Sequence, residues 1–110
     1  MDNIKYEDFL KLDIRAGTIV EAEDVPKSKK LLKLTVDFGT EVGLRTIVAG
    51  IAGNYTSGLL RGTRVVAVLN LEPRTLMSIE SHGMLLAAQE ADGRVWMLKV
   101  DYVPDGAKVG

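Results

Sequence analysis

The chain has 110 residues, 46% hydrophobic and 26% charged, which is the size and balance of one domain with a single core. Its net charge of −1 argues against a protein that coats nucleic acid by bulk charge, and the absence of cysteine excludes disulfides, Cys-ligated zinc and thiol nucleophiles. The N-terminal sequence MDNIKYEDFLKL lacks the apolar core of a signal peptide, and no apolar run is long enough to span a bilayer. We therefore expect one cytoplasmic domain, residues 1–110, with no membrane partner.

The first predicted element is a short helix over residues 4–12, which carries apolar residues at helical spacing and acids near its start. Asn3 is its predicted N-cap. From Asp13 the apolar residues follow a period of two, which predicts a first strand. Because Gly17 falls where this pattern shifts phase, we predict a β-bulge or a sharp coil that bends the strand there.

The other predicted strands follow at short intervals. The cleanest alternation runs from Leu32 to Phe38 and ends at Gly39, with Lys33 on the outer face. Further strands are predicted over residues 45–51, 63–69, 84–88 and 94–100, with a helical turn at 55–60. This pattern predicts an all-β fold: a five-stranded OB-fold barrel with a short N-terminal helix, a short helix between strands 3 and 4, and additional C-terminal strand(s).

The connection over residues 70–83 contains the only histidine, next to a serine and a glutamate. Adjacent side chains of an extended segment point to opposite sides, so Ser81 and His82 are poorly placed to share a proton. The sequence I-E-S-H-G is not the G-x-S-x-G nucleophile elbow, and one histidine without cysteine forms no recognisable metal-ligand pair. We predict no enzyme activity, no catalytic residue, no metal site and no cofactor, with His82 in a turn or on the surface.

Basic residues are concentrated where OB barrels bind nucleic acid. Four lysines fall within residues 27–33, and Arg74 lies in the long connection. Aromatic residues make up only 5% of the chain, and Phe38 and Trp96 alternate in phase with core positions, so a stacking platform for generic single strands is not indicated. Recognition of a folded RNA by shape and phosphate fits better. By composition alone, a solvated turn explains the lysines equally well.

Five stretches of the chain, in order, resemble one known family: DIRAG at 13–17, KLLKL at 30–34, IVAGI at 47–51, NLEPR at 70–74 and SHGMLLA at 81–87. Together they resemble the tRNA-binding OB domain. That domain occurs at the C-terminus of many methionyl-tRNA synthetases, as free-standing tRNA-binding proteins, and in the endothelial monocyte-activating polypeptide family. The resemblance covers residues 8–110.

The resemblance implies non-catalytic binding of folded tRNA by a homodimer, with a methionyl-tRNA synthetase catalytic chain as a candidate partner. The site residues that it implies, position by position, are Lys30, Lys33, Asn70, Arg74, Ser81 and Met84. Lysine and arginine would meet phosphates, asparagine and serine would bond sugar or base edges, and methionine would give apolar contact. Three have a structural alternative: Met84 in the core or a dimer interface, Asn70 as a turn former, and Ser81 as a backbone cap.

The chain departs from the family pattern at Ser78, where glycine is common, at His82, where Gln or Glu is common, and at residues 56–59. Its length and C-terminal sequence also resemble CsaA-type proteins, proposed as export-related chaperones, although those tend to have Ser-Ala-Gln at residues 48–50. The competing hypothesis is therefore a protein-interaction module. Its apolar patch would grip unfolded polypeptides through Leu76, Met77, Ile79 and Met84.

Overall fold

The computed structural model describes residues 1–110 and consists mainly of short β-strands. No helix in it is long and apolar enough to cross a membrane. The elements in chain order are α1 (Tyr6–Phe9), β1 (Ile14–Asp24), β2 (Leu32–Asp37), α2 (Gly39–Val42), β3 (Leu44–Ala49), a 3₁₀ turn (Ser57–Leu59), β4 (Arg64–Val68), β5 (Arg74–Leu76), β6 (Ile79–Ser81), β7 (Met84–Leu85), β8 (Ala87–Gln89) and β9 (Val95–Met97).

Five strands form one antiparallel sheet in the order β3-β2-β1-β4-β7, and its two edge strands approach each other. Ser81, the last residue of β6, and His82 after it bond to β3 and so join these edges. The backbone N–H of His82 donates to the carbonyl oxygen of Thr46 at 2.8 Å, and the N–H of Val48 donates to Ser81 Oγ at 2.9 Å. The predicted five-stranded barrel is thus confirmed as a nearly closed barrel, and the separate β8–β9 pair supplies the additional C-terminal strands.

The core lies inside the barrel and is built by strand alternation. In β2 the residues Leu32, Leu34 and Val36 are buried, while the residues between them are partly exposed. Burying each such side chain contributes about 1.5–3 kcal/mol relative to leaving it in water. Phe38 follows directly and is fully buried against Gly17, where an added Cβ would lie 2.6 Å from the Phe38 ring. The backbone of β1 can therefore approach β2 closely only without a side chain at this position.

Two predictions about the N-terminal part need correction. Helix α1 begins after Lys5, and no side-chain hydrogen bond caps it, so Asn3 is not its cap. Strand β1 does contain an irregularity, but its register against β2 shifts between Ile19 and Glu21 rather than at Gly17. The glycine marks the close approach of an aromatic ring, and a glycine within a strand pattern is compatible with either cause.

The C-terminal strands also differ from the prediction in detail. The strand predicted over residues 84–88 divides into β7 and β8, and the short helix α2 between β2 and β3 was not predicted. Trp96 is 43% exposed rather than in the core. Its ring meets that of Tyr55 edge to face, with centroids 6.2 Å apart, and its Nε1 donates to a carboxylate oxygen of Glu90 at 2.7 Å. The polar edge of the indole thus keeps Trp96 at the surface.

The long connection predicted over residues 70–83 contains an ordered β-hairpin. Strands β5 and β6 pair with Arg74 opposite Ser81 and Leu76 opposite Ile79, which leaves a two-residue turn. Both turn residues have positive φ, 50° at Met77 and 67° at Ser78. This is the geometry of a type I′ turn, whose twist suits a two-residue hairpin. Arg74 and Ser81 are therefore held on paired strands rather than on a free loop.

Candidate nucleic-acid interface

One surface of the barrel brings together predicted residues that are far apart in the sequence. Lys33 of β2 lies directly opposite Val48 of β3, so the two side chains share one face of the sheet. Val48 in turn lines two adjoining cavities that are also lined by Arg74 and Met84. We call the surface defined by Lys33, Val48, Arg74 and Met84 the seam face, because it lies where β3 and β7 meet.

The two cavities of the seam face differ in size and chemistry. The larger has a volume of about 320 Å³ and a mainly apolar lining that includes Leu31 and Ile51. The smaller has a volume of about 130 Å³ and is lined by both apolar and polar residues, including Glu72 and Ser81. Arg74 lines both cavities, so each of them is bordered by the same cationic group.

The basic residues near this surface are free to meet an anion. Lys30 and Arg74 are exposed and Lys33 is partly exposed, and none of them forms an ion pair. Lys30 lies beside the seam face, in a cavity of about 440 Å³ that also contains Lys29. That cavity shares residues 50, 51 and 95 with the larger seam cavity. Three of the predicted site residues therefore offer uncommitted positive charge along one side of the molecule.

Arg15 shows the opposite behaviour. Its Nε donates to the carboxylate of Asp13 at 2.8 Å, and its NH1 nitrogen lies 3.5 Å from a carboxylate oxygen of Glu41. The hydrogen bond to Asp13 raises the pKa of Arg15 above its ordinary value, and both carboxylate charges act in the same direction. The guanidinium of Arg15 is therefore already paired with carboxylates of the chain itself.

Asn70 and Ser81 are engaged in bonds within the chain. The side-chain oxygen of Asn70 accepts the N–H of Asp13 at 2.7 Å, and its amide nitrogen donates to the carbonyl oxygen of Lys11 at 2.6 Å. Ser81 is 5% exposed, and its Oγ accepts the N–H of Val48 and donates to the carbonyl oxygen of Gly83 at 3.2 Å. Both side chains therefore hold the two ends of the hairpin segment in place.

Met84 and His82 lie nearer the solvent. Met84 is 48% exposed, so its flexible thioether can cover an apolar surface. The His82 side chain is 43% exposed, with Nε2 3.2 Å from a carboxylate oxygen of Glu80. Because the neighbouring Ser81 is buried, the two side chains diverge as predicted, and the surface position of His82 is confirmed. No group of three or more His, Cys, Asp or Glu side chains is placed to hold a metal ion.

Sequence reasoning missed Glu72 and Leu71, which line the smaller cavity. Both lie within the motif NLEPR, from which only Asn70 and Arg74 were selected. Their chemistry, one carboxylate and one aliphatic side chain, gives no signal of a nucleic-acid contact. Only the fold places them beside Arg74.

The fold and the seam face define a small β-barrel binding domain of the OB type, with a basic margin and an apolar centre. The chain belongs to the family described as "Putative tRNA binding domain", whose family model matches residues 14–110. The predicted family resemblance is thereby confirmed.

Similar proteins agree with this assignment. The methionine–tRNA ligase of Porphyromonas gingivalis is 50% identical over 105 residues, which cover 94% of this chain but 15% of the ligase. That of Methanocaldococcus jannaschii is 47% identical over 110 residues, covering 99% of this chain and 17% of the ligase. The chain thus spans only a small part of these relatives.

Two solved structures share the whole fold. A protein from Pyrococcus horikoshii described as related to methionyl-tRNA synthetase superposes with a TM-score of 0.93 at 39% identity, covering 100% of both chains. The chaperone CsaA of Bacillus anthracis superposes with a TM-score of 0.90 at 33% identity, covering 99% of this chain and 100% of the other.

Proposed function

We propose that this domain binds folded tRNA without catalysing a reaction, and recognises it largely by shape and phosphate contacts. The observation that carries the proposal is the set of three uncommitted basic residues, Lys30, Lys33 and Arg74, along one side of a domain of the tRNA-binding family. Folded RNA presents phosphates and sugar hydroxyls over a broad surface, which suits dispersed charges better than a stacking platform.

The six predicted site residues take two roles in this proposal. Lys30, Lys33 and Arg74 meet phosphates, and Met84 packs on the apolar face of a sugar or base. Asn70 and Ser81 act as positioning residues, since their polar atoms are occupied within the chain. They support the surface on which the contacts are made.

The charge of the site sets the expected strength of binding. With three or four phosphate contacts per subunit, the logarithm of affinity should fall with the logarithm of salt concentration at a slope of about −2 to −4. The net charge of −1 adds no general attraction to RNA. The domain would therefore act as a helper that retains tRNA rather than as a tight, sequence-specific reader.

Two partners follow from this role. A homodimer would present two seam faces, and linked sites raise overall affinity through effective concentration. The likeness to methionine–tRNA ligases supports a synthetase catalytic chain as the enzyme that benefits, acting in the cytoplasm. Sedimentation would measure the oligomeric state, and co-purification would detect the synthetase.

The site is tested with Lys33→Ala and Arg74→Ala. Each variant should weaken binding of folded tRNA and make the salt slope shallower by about 1, because one phosphate contact is lost. Lys108→Ala is the matched control, since this exposed lysine forms no ion pair and lies outside the seam face. Wild-type affinity and slope for both site variants in anisotropy titrations would refute the site assignment.

A second candidate function is binding of unfolded polypeptides. It is favoured by the larger, mainly apolar cavity of about 320 Å³ and by the likeness to CsaA chaperones. Competition at one salt concentration among folded tRNA, an unstructured RNA of equal length and an unfolded polypeptide separates the two functions. Preference for folded tRNA supports the first, and preference for the polypeptide supports the second.

A further inference from the structure

We propose that the smaller cavity of the seam face holds the base of one unpaired cytosine. This inference rests on the proposed RNA-binding function and adds to it a subsite with a preference for one base. Its evidence is the size of the cavity, the chemistry of its walls and the presence of Glu72.

The volume of the cavity suits a single six-membered ring. It measures about 130 Å³, and an apolar protein cavity of about 150 Å³ accommodates one benzene ring. A pyrimidine is a ring of this size, whereas a purine adds a fused five-membered ring. The dimensions therefore favour a pyrimidine that has left its stack.

The walls of the cavity are suited to the flat faces of a base. Val48, Leu71, Leu76 and Met84 supply aliphatic and thioether surface, and unstacked bases are commonly held between aromatic or apolar side chains. The hydroxyl of Ser81 also borders the cavity, but it already donates one hydrogen bond and accepts another. The apolar side chains would thus contact the faces of the ring, and the charged side chains of the cavity would distinguish one base from another.

Glu72 is the unexpected member of this cavity. Its side chain forms no ion pair and no hydrogen bond within the chain, although it lies on a surface where we expect phosphates. A free carboxylate would repel a phosphate, but it accepts hydrogen bonds from an amino group. The N4 amine of cytosine is such a donor, whereas uracil presents a carbonyl oxygen at that position.

Arg74 completes the subsite. It lines the same cavity and is free of carboxylate partners, so it can bond the phosphate of the nucleotide whose base enters. Glu72 would then read the amine while Arg74 holds the backbone. Because Glu72 and Arg74 would bind different parts of the nucleotide, they can line one cavity without forming an ion pair with each other.

The test compares fluorescently labelled hexacytidylate and hexauridylate at one low salt concentration, with folded tRNA titrated in parallel. Wild-type protein should bind the cytidylate about fivefold more tightly, the lower end of discrimination by a base contact. Glu72→Ala removes both the charge and the hydrogen-bond acceptor, and should reduce this ratio towards one. Glu7→Ala makes the same change in helix α1, at an exposed residue without an ion pair, and should retain the ratio.

The outcomes separate this inference from the proposed function. Equal affinity for the two hexamers, with folded tRNA still bound, would overturn the cytosine subsite and leave tRNA binding intact. A preference for cytidylate that survives Glu72→Ala would also overturn it, because the Glu72 side chain would not be the source of the preference. Absence of binding to folded tRNA as well as to both hexamers would refute the proposed function together with the subsite.

Discussion

Ser81→Ala tests whether one buried hydroxyl closes the barrel. The substitution removes the acceptor of the Val48 N–H at 2.9 Å and the donor to the Gly83 carbonyl at 3.2 Å. Each neutral hydrogen bond has a net worth of about 0.5–1.5 kcal/mol, so the free energy of unfolding should fall by about 1–3 kcal/mol. In a domain of 110 residues each kcal/mol lowers Tm by about 4 °C, which predicts a fall of about 4–12 °C.

Thermal unfolding followed by circular dichroism measures this change, and Thr75→Ala is the control. Thr75 is an exposed hydroxyl residue on the same hairpin, and its loss should change stability little. Binding of tRNA should weaken in Ser81→Ala while the salt slope stays the same, because no phosphate contact is removed. An unchanged Tm would refute the closing role, and a shallower salt slope would indicate that Ser81 supports phosphate contacts directly.

Two further predictions concern the backbone, and both are measured by urea denaturation. Gly17→Ala should lower the free energy of unfolding by about 1–3 kcal/mol, because the new methyl group would lie 2.6 Å from the ring of Phe38. Gly58→Ala is the control. Its methyl group would meet nothing within 4 Å, so its stability should stay within about 0.5 kcal/mol of wild type. Equal effects at the two sites would contradict the packing argument. Ser78→Gly should stabilise by up to about 1 kcal/mol, because relief of the left-handed conformation, with φ of 67°, exceeds the backbone entropy that glycine adds to the unfolded chain. A loss of more than about 1 kcal/mol would contradict the strain, because the entropy cost of glycine alone does not exceed that value.

Much of the barrel could be predicted because strand alternation is a local property. In β2 the period of two identified the inner residues and placed Lys33 outside, and the predicted strand exceeds the observed Leu32–Asp37 by one residue. The 3₁₀ turn Ser57–Leu59 likewise falls inside the predicted helical turn. Burial of alternate residues follows directly from the pleat, so these elements needed no knowledge of their partners.

The hairpin β5–β6 could not be predicted in the same way. Its turn requires two residues with positive φ, and Met77 and Ser78 are not the Asn-Gly or Asp-Gly pair that usually signals such a turn. Each strand is only three residues long, too short to show a clear period. Pairing with the neighbouring strand therefore decided the conformation.

For the site, the sequence by itself determined which residue types are present and, through the family resemblance, which of them to expect together. The tertiary structure decided their roles. The side chain of Asn70 accepts the N–H of Asp13, 57 residues earlier, and the side chain of Ser81 accepts that of Val48, 33 residues earlier. The side chain of Arg74, by contrast, forms no ion pair within the chain. A polar side chain is available to a ligand only when the fold leaves it without a partner, and such partners come from distant parts of the chain.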